Sequence, residues 1–187
     1  MKQLLIFSFL LLGMSFESYA RIPFQFKRFK RPLRINKHYI SMLRWKCRHT
    51  STSFKCVEFV RNYDGDTITV NIPKVHTFFG KEMSIRVRGV DTPEIRTKDD
   101  CEKAKAYEAK EFVNNLLIKA KKINLENIDK DKYFRIVADI KFDGKNIAQN
   151  LIDSGLAYPY DGGTKKDIDW CMPLDQQLDP SELQLEN

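Results

Sequence analysis

The sequence predicts a mainly β fold with helices, an α+β arrangement. Five short strands form its body, one helix joins the third strand to the fourth, and a short helix follows the fifth. Two observations predict it. Five runs between residues 56 and 142 alternate apolar and polar side chains with period two, the mark of half-buried strands. Two further runs repeat apolar residues at the three-and-four spacing of a helix. No internal repeat or low-complexity tract interrupts them.

A folded core begins near Lys55. The first strand is "CVEFVRN" (56–62) and the second "TITVNI" (67–72), with Ile68, Val70 and Ile72 on one face and Thr67, Thr69 and Asn71 on the other. "DGD" joins them as a turn in which Gly65 supplies backbone freedom. The third strand, "MSIRVRGV" (83–90), points Met83, Ile85 and Val87 one way and Arg86 and Arg88 the other, and Pro93 ends it. Residues 101–120 read as a helix, with Ala109, Val113, Leu116 and Ala120 along one stripe. "KINLENI" (122–128) and "FRIVADIKF" (134–142) are the last two strands. In the latter Phe134, Ile136, Ala138, Ile140 and Phe142 share a face, which makes Phe134 a core residue. A short helix spans 146–154, with Gly155 as its stop. This order is that of a small closed barrel of the oligonucleotide/oligosaccharide-binding (OB) type. A five-stranded sheet with two helices packed on it is the alternative.

Charge divides the chain. Residues 1–63 carry 13 Lys and Arg against 2 acids, a net +11, whereas residues 64–187 carry 19 against 23, a net −4. Lys2, the apolar run Leu4–Met14 and "SYA" read as a signal peptide over 1–20, cleaved after Ala20 and directing a secreted or periplasmic product; an uncleaved anchor is the alternative. The mature chain offers no transmembrane segment. Residues 21–54 form a basic arm that mixes Lys and Arg with Phe24, Phe26 and Phe29. It is suited to phosphates and stacked bases, or is simply a solvated leader or one drawn to anionic lipid. The folded domain spans 55–170, and an acidic tail spans 171–187. The four cysteines follow an export signal, so disulfides are expected. Of three pairings, Cys47–Cys56 and Cys101–Cys171 is favoured: the first closes a short loop, the second ties the region after "TPEIR" to "DWC". Zinc is the rival, but none of the three histidines has finger-like spacing to a cysteine.

Three stretches carry chemistry: "YDGDT" (63–67), "RVRGVDTPE" (86–94) and "DKYFR" (131–135). Carboxylates suit a hard cation such as Ca²⁺ or Mg²⁺. Strand-borne arginines suit a phosphate, because the planar guanidinium meets two oxygens at once. A metal, two arginines and a spare carboxylate together are what phosphodiester hydrolysis requires, since charge grows on the phosphoryl oxygens and water must lose a proton. Each motif alone is also an ordinary turn.

The ordered set "DGDT", "R-x-x-x-x-DTPE", a helix, "DKYFR" and "GLAYPY" resembles the staphylococcal (micrococcal) nuclease family, over residues 56 to about 160. The cysteines make it similar to exported thermonuclease homologues of Gram-negative bacteria. The resemblance implies that Asp66 and Asp91 bind Ca²⁺ through carboxylates and Thr92 through its backbone carbonyl. Glu94 is then the general base or the group that orients water. Arg86 holds the scissile phosphate, Arg135 stabilises the transition state, and Lys132 and Tyr133 contact a neighbouring phosphate. Tyr158 and Tyr160 bracket the nucleotide, although their offset from Gly155 departs from the family pattern. DNA and RNA are the implied substrates, with 3′-phosphate products. No stable protein partner is implied, and a monomer is expected. "YFR" stands where the family's best-known member has "YGR". Arg88 and Arg96 are left without an assigned role. A nucleic-acid-binding OB module without catalysis is the alternative function, and an interaction domain of the cell envelope is a third.

Overall fold

The alternating runs become strands whose apolar faces meet inside a closed barrel. A computed structural model describes residues 47–185; the predicted signal peptide and residues 21–46 of the basic arm lie outside the described residues. Strand β1 spans Phe54–Asn62, β2 Thr67–Asn71, β3 Met83–Val87, β4 Val90–Asp91, β5 Ile123–Lys130, β6 Ile136–Phe142, β7 Lys145–Asn146 and β8 Tyr158–Pro159. Helix α1 spans Asp100–Lys119 and α2 Ile147–Asp153, and a single helical turn, Thr77–Gly80, precedes β3.

β1 pairs antiparallel with β2 and β5, β2 with β3, and β5 with β6. A parallel pairing of β3 with β6, Ile85 opposite Ile136, closes the ring. The fold is therefore the five-stranded OB barrel with α1 between its third and fourth strands. Closure removes the sheet edges that an open five-stranded sheet would expose.

Val57, Ile68, Val70, Ile85, Val87, Leu125, Ala138 and Ile140 fill the core, each 5% exposed or less. At about 1.5–3 kcal/mol per buried aliphatic side chain, these positions are the main source of the barrel's stability. α1 lays Ala106, Ala109, Val113 and Leu117 on the core; Asp99 caps its first turn by accepting the backbone N–H of Glu102 at 2.8 Å. Asn146 caps α2 in the same way through Ala148. α2 ends in a Schellman motif: Gly155 takes φ +65°, its N–H reaches the Ile152 carbonyl, and that of Leu156 reaches the Leu151 carbonyl.

Two disulfides brace this frame. Cys47–Cys56 closes a short loop at the start of β1, and Cys101–Cys171 joins the first turn of α1 to the C-terminal segment. That segment packs Trp170, Leu174 and Leu178 around Tyr158, while Leu183 and Leu185 reach the barrel core. Among the described residues no helix is long and apolar enough to cross a membrane.

Candidate active site

The site grows from the β1–β2 turn. Asp64 accepts the backbone N–H groups of Asp66, at 3.1 Å, and Thr67, at 2.7 Å, so its side chain replaces a turn's backbone bond. This turns Asp66 inward to 1% exposure. Gly65 is needed here for a reason other than the freedom expected of it, since its φ lies outside the left-handed region. A Cβ at this position would lie 2.9 Å from Ala109 of α1 and 2.9 Å from Thr92. The glycine lets turn, helix and "DTPE" pack together.

Pairing of β2 with β3 sets Arg86 opposite Thr67, beside the turn. Its guanidinium donates through Nη1 to Asp66 Oδ1, and through Nη2 to Asp91 Oδ1 at 2.8 Å and the Val90 carbonyl at 3.4 Å. Asp91 lies on β4, which pairs with β8 and so sits opposite Tyr158. The Tyr158 hydroxyl donates to Asp91 Oδ2 at 3.1 Å and accepts the N–H of Lys166 at 3.2 Å. Thr92 is buried, with its side chain beside the Asp66 carboxyl. Past Pro93 the chain turns outward. Glu94 is exposed, with its N–H donating to Glu102 Oε1 at 3.0 Å. The Lys165 ammonium donates to Glu94 Oε1 at 2.7 Å and lies 3.0 Å from Asp91 Oδ1. Asp66, Arg86, Asp91, Lys165 and Glu94 thus form one continuous chain of charges.

The third stretch forms the hairpin between β5 and β6. Asp131 accepts the N–H groups of Tyr133 and Arg135 on Oδ1, and pairs with Arg135 Nε on Oδ2 at 2.6 Å. Phe134 is not the core residue the alternation suggested. It adopts φ +60° and is 84% exposed, and β6 begins two residues later. The reason is local: the bonds to Asp131 and the 2.9 Å bond from the Phe134 N–H to the Asp131 carbonyl close a tight turn that needs a left-handed residue. Tyr133 projects to solvent with Lys132 and Arg135 each about 5.5 Å from its ring centre.

Arg86 and Arg135 line one open cleft of about 480 Å³, together with Arg88, Lys132, Tyr133 and Tyr160. Tyr160 sits in the cleft wall, its hydroxyl donating to the Gly163 carbonyl. Tyr158 does not face the cleft: it is buried, with Trp170 on its ring. Arg88 donates to the Asn127 carbonyl at 2.6 Å, and Arg96 lies over the Tyr63 ring. Both occupy the surroundings of the site.

Burial pushes the Asp66 carboxyl up to about 7; the Arg86 guanidinium opposes the shift, and Asp64 and Asp91 add to it. Burial acts against the charge on Arg86, but Asp66 and Asp91 outweigh it and raise its pKa further. Tyr158 rises to about 12, through burial and then the neighbouring Asp91 charge. Lys165 is raised: partial burial works against its charge, and the hydrogen bonds to Glu94 and Asp91 more than compensate. Asp66 is thus a buried acid whose desolvation the Arg86 guanidinium only partly offsets. With Asp91 and the Thr92 carbonyl it offers hard oxygen donors, the donor type suited to Ca²⁺.

Sequence reasoning missed Lys165, Glu102 and the supporting role of Tyr158. Lys165 meets Glu94 across 71 positions and stands in a loop without periodicity, so no pattern signals it. Tyr158 was visible as the residue after "GLA", but only the β4–β8 pairing shows that it holds a carboxylate.

Residues 84–173 match the family described as staphylococcal nuclease homologue. The chain is similar to endonuclease YncB of Bacillus subtilis (strain 168), at 36% identity over 112 residues, covering 56% of this chain and 49% of that protein. It is also similar to the SPbeta prophage-derived endonuclease YokF of the same organism, at 35% identity over 112 residues, covering 56% of this chain and 35% of that protein. The chain therefore spans half or less of the length of these relatives.

Proposed function

We propose that the chain, whose residues 84–173 match the staphylococcal nuclease homologue family, is a Ca²⁺-dependent nuclease of low sequence specificity, hydrolysing DNA and RNA to 3′-phosphate products. One observation carries the reading. Arg86 is locked between two buried carboxylates and opens on the same cleft as Arg135, with Glu94 joined to the cluster through Lys165. The names of the two relatives, both endonucleases, support it.

In this reading the cleft takes a phosphodiester between Arg86 and Arg135. Each guanidinium brings positive charge, and the N–H groups its acid partners leave free, to the non-bridging oxygens, where charge grows as the phosphorus is attacked. Glu94 accepts a proton from the attacking water, or orients it. The new bond joins the water oxygen to phosphorus, and the bond from phosphorus to the 5′-oxygen breaks. A proton then restores the 5′-hydroxyl, and the phosphate stays on the 3′ side. Lys132 and Tyr133 grip a neighbouring phosphate, and Tyr160 borders the nucleotide. Asp66, Asp91 and the Thr92 carbonyl would hold Ca²⁺, which supplies positive charge against the phosphate when bound. Tyr158 positions Asp91. The predicted signal peptide and the two disulfides support a secreted or periplasmic site of action.

The test is cleavage of single-stranded DNA and of RNA in Ca²⁺ and in excess chelator, with the product ends identified. Ca²⁺-dependent cleavage leaving 3′-phosphates is expected. Binding of both polymers without cleavage in any divalent ion would instead make the chain a non-catalytic OB module.

A further inference from the structure

Asp91 holds two cationic side chains on a single carboxylate oxygen. Its Oδ1 accepts from Arg86 Nη2 at 2.8 Å and lies 3.0 Å from Lys165 Nζ, and its Oδ2 accepts from Tyr158 at 3.1 Å. A divalent cation joining Asp91 through Oδ1, where two cationic donors already sit, has to displace Arg86 or Lys165. Arg86 is poorly placed to leave, since its side chain is only 12% exposed and is held by Asp66 and the Val90 carbonyl as well. Tyr158 is buried under Trp170. Lys165 differs: its side chain is 46% exposed, it sits in a segment without helix or strand, and its two partners are the carboxylates of Asp91 and Glu94.

We propose that Lys165 is a displaceable internal cation, which bridges Asp91 and Glu94 in the metal-free protein and is expelled when a divalent cation binds. This rests on the reading of Asp91 as a metal ligand and Glu94 as the group that handles water. The same event does two things. It opens the oxygen that the cation needs, and it frees Glu94 Oε1 from the ammonium that occupies it. Loading with metal and arming of the base are thereby coupled. Without the cation Arg86 and Lys165 offset the charge of the three carboxylates, which if bare would repel a phosphate. Lys165 acts through the two carboxylates and is a positioning residue.

The coupling is measured by titrating Ca²⁺ alone into the protein and following the heat of binding, with no nucleic acid present. Lys165→Met keeps the length of the side chain and removes the competing charge, so Ca²⁺ should bind about tenfold more tightly, a modest figure because the ammonium is half exposed and screened. Lys165→Arg retains a cation and should bind Ca²⁺ no more tightly than the parent. The melting temperature of each variant, taken alongside, shows that the fold is kept. Asp91→Asn should abolish the heat, which locates it at this site. Equal or weaker binding in Lys165→Met, with the parent itself binding, overturns the inference alone. Absence of binding in both proteins overturns the inference and the Ca²⁺ reading together.

Discussion

Arg86 and Arg135 face one cleft, yet they are held in opposite ways. Arg86 belongs to the barrel: its strand is paired on both sides, its side chain is 12% exposed, and two buried carboxylates fix the fork. Arg135 belongs to a hairpin tip: its side chain is 51% exposed and answers to one neighbouring acid, Asp131, in a turn built on a left-handed Phe134. The difference teaches how the fold divides the labour. In the proposed reading the rigid half is a phosphate seat pre-organised before substrate arrives. The exposed half brings its charge on a hairpin tip that contributes little to the core.

The comparison breaks most sharply if the two arginines are removed in turn. Arg86→Ala leaves Asp66 and Asp91 buried without their shared counter-charge, and should cost about 3–5 kcal/mol of stability along with cleavage. The measurement is urea unfolding beside a single-turnover assay, and an Arg86→Ala protein as stable as the parent would contradict the account of the rigid half. Arg135→Ala should lower the cleavage rate by about 10²–10³. Its stability should stay within about 0.5 kcal/mol of the parent. Loss of stability on that scale or beyond would mean that the hairpin is as structural as the seat.

The Cys101–Cys171 bridge sharpens the comparison at a smaller scale. It closes a sequence separation of 70 residues and lies next to Glu102, which holds the Glu94 N–H, and in the same C-terminal segment as Lys165. Replacing both cysteines by serine should cost about 2–4 kcal/mol and lower the melting temperature. An unmoved melting curve would show that the bridge braces nothing. The smallest effect is expected at the hairpin tip. Phe134→Gly removes a side chain from a left-handed position and should stabilise the protein by up to about 1 kcal/mol. A clear destabilisation would mean that the exposed ring has a packing role.

The same contrast explains what was legible in the sequence. Residues governed by strand periodicity read correctly: Ile68, Val70, Ile85, Val87 and Ile140 all lie inside the barrel. The motif acids Asp66 and Asp91 did converge on Arg86, because local turns and adjacent strands bring them together. Phe134 misled because an alternating pattern runs straight through a turn whose geometry is set by the Asp131 side chain. Gly65 announced a turn but not the close approach of α1. Lys165 was out of reach because its partners are distant in the chain, and only the pinned C-terminal segment delivers it to the site.

Glu94 tests the central claim most directly. Glu94→Gln keeps the shape of the side chain and removes the carboxylate proposed to accept a proton from water, while leaving Asp66, Arg86 and Asp91 in place. The measurement is binding and cleavage of one labelled single-stranded DNA by parent and variant, in Ca²⁺. The account predicts binding close to that of the parent and a loss of cleavage on the order of 10²-fold or more. Turnover equal to the parent's would contradict it.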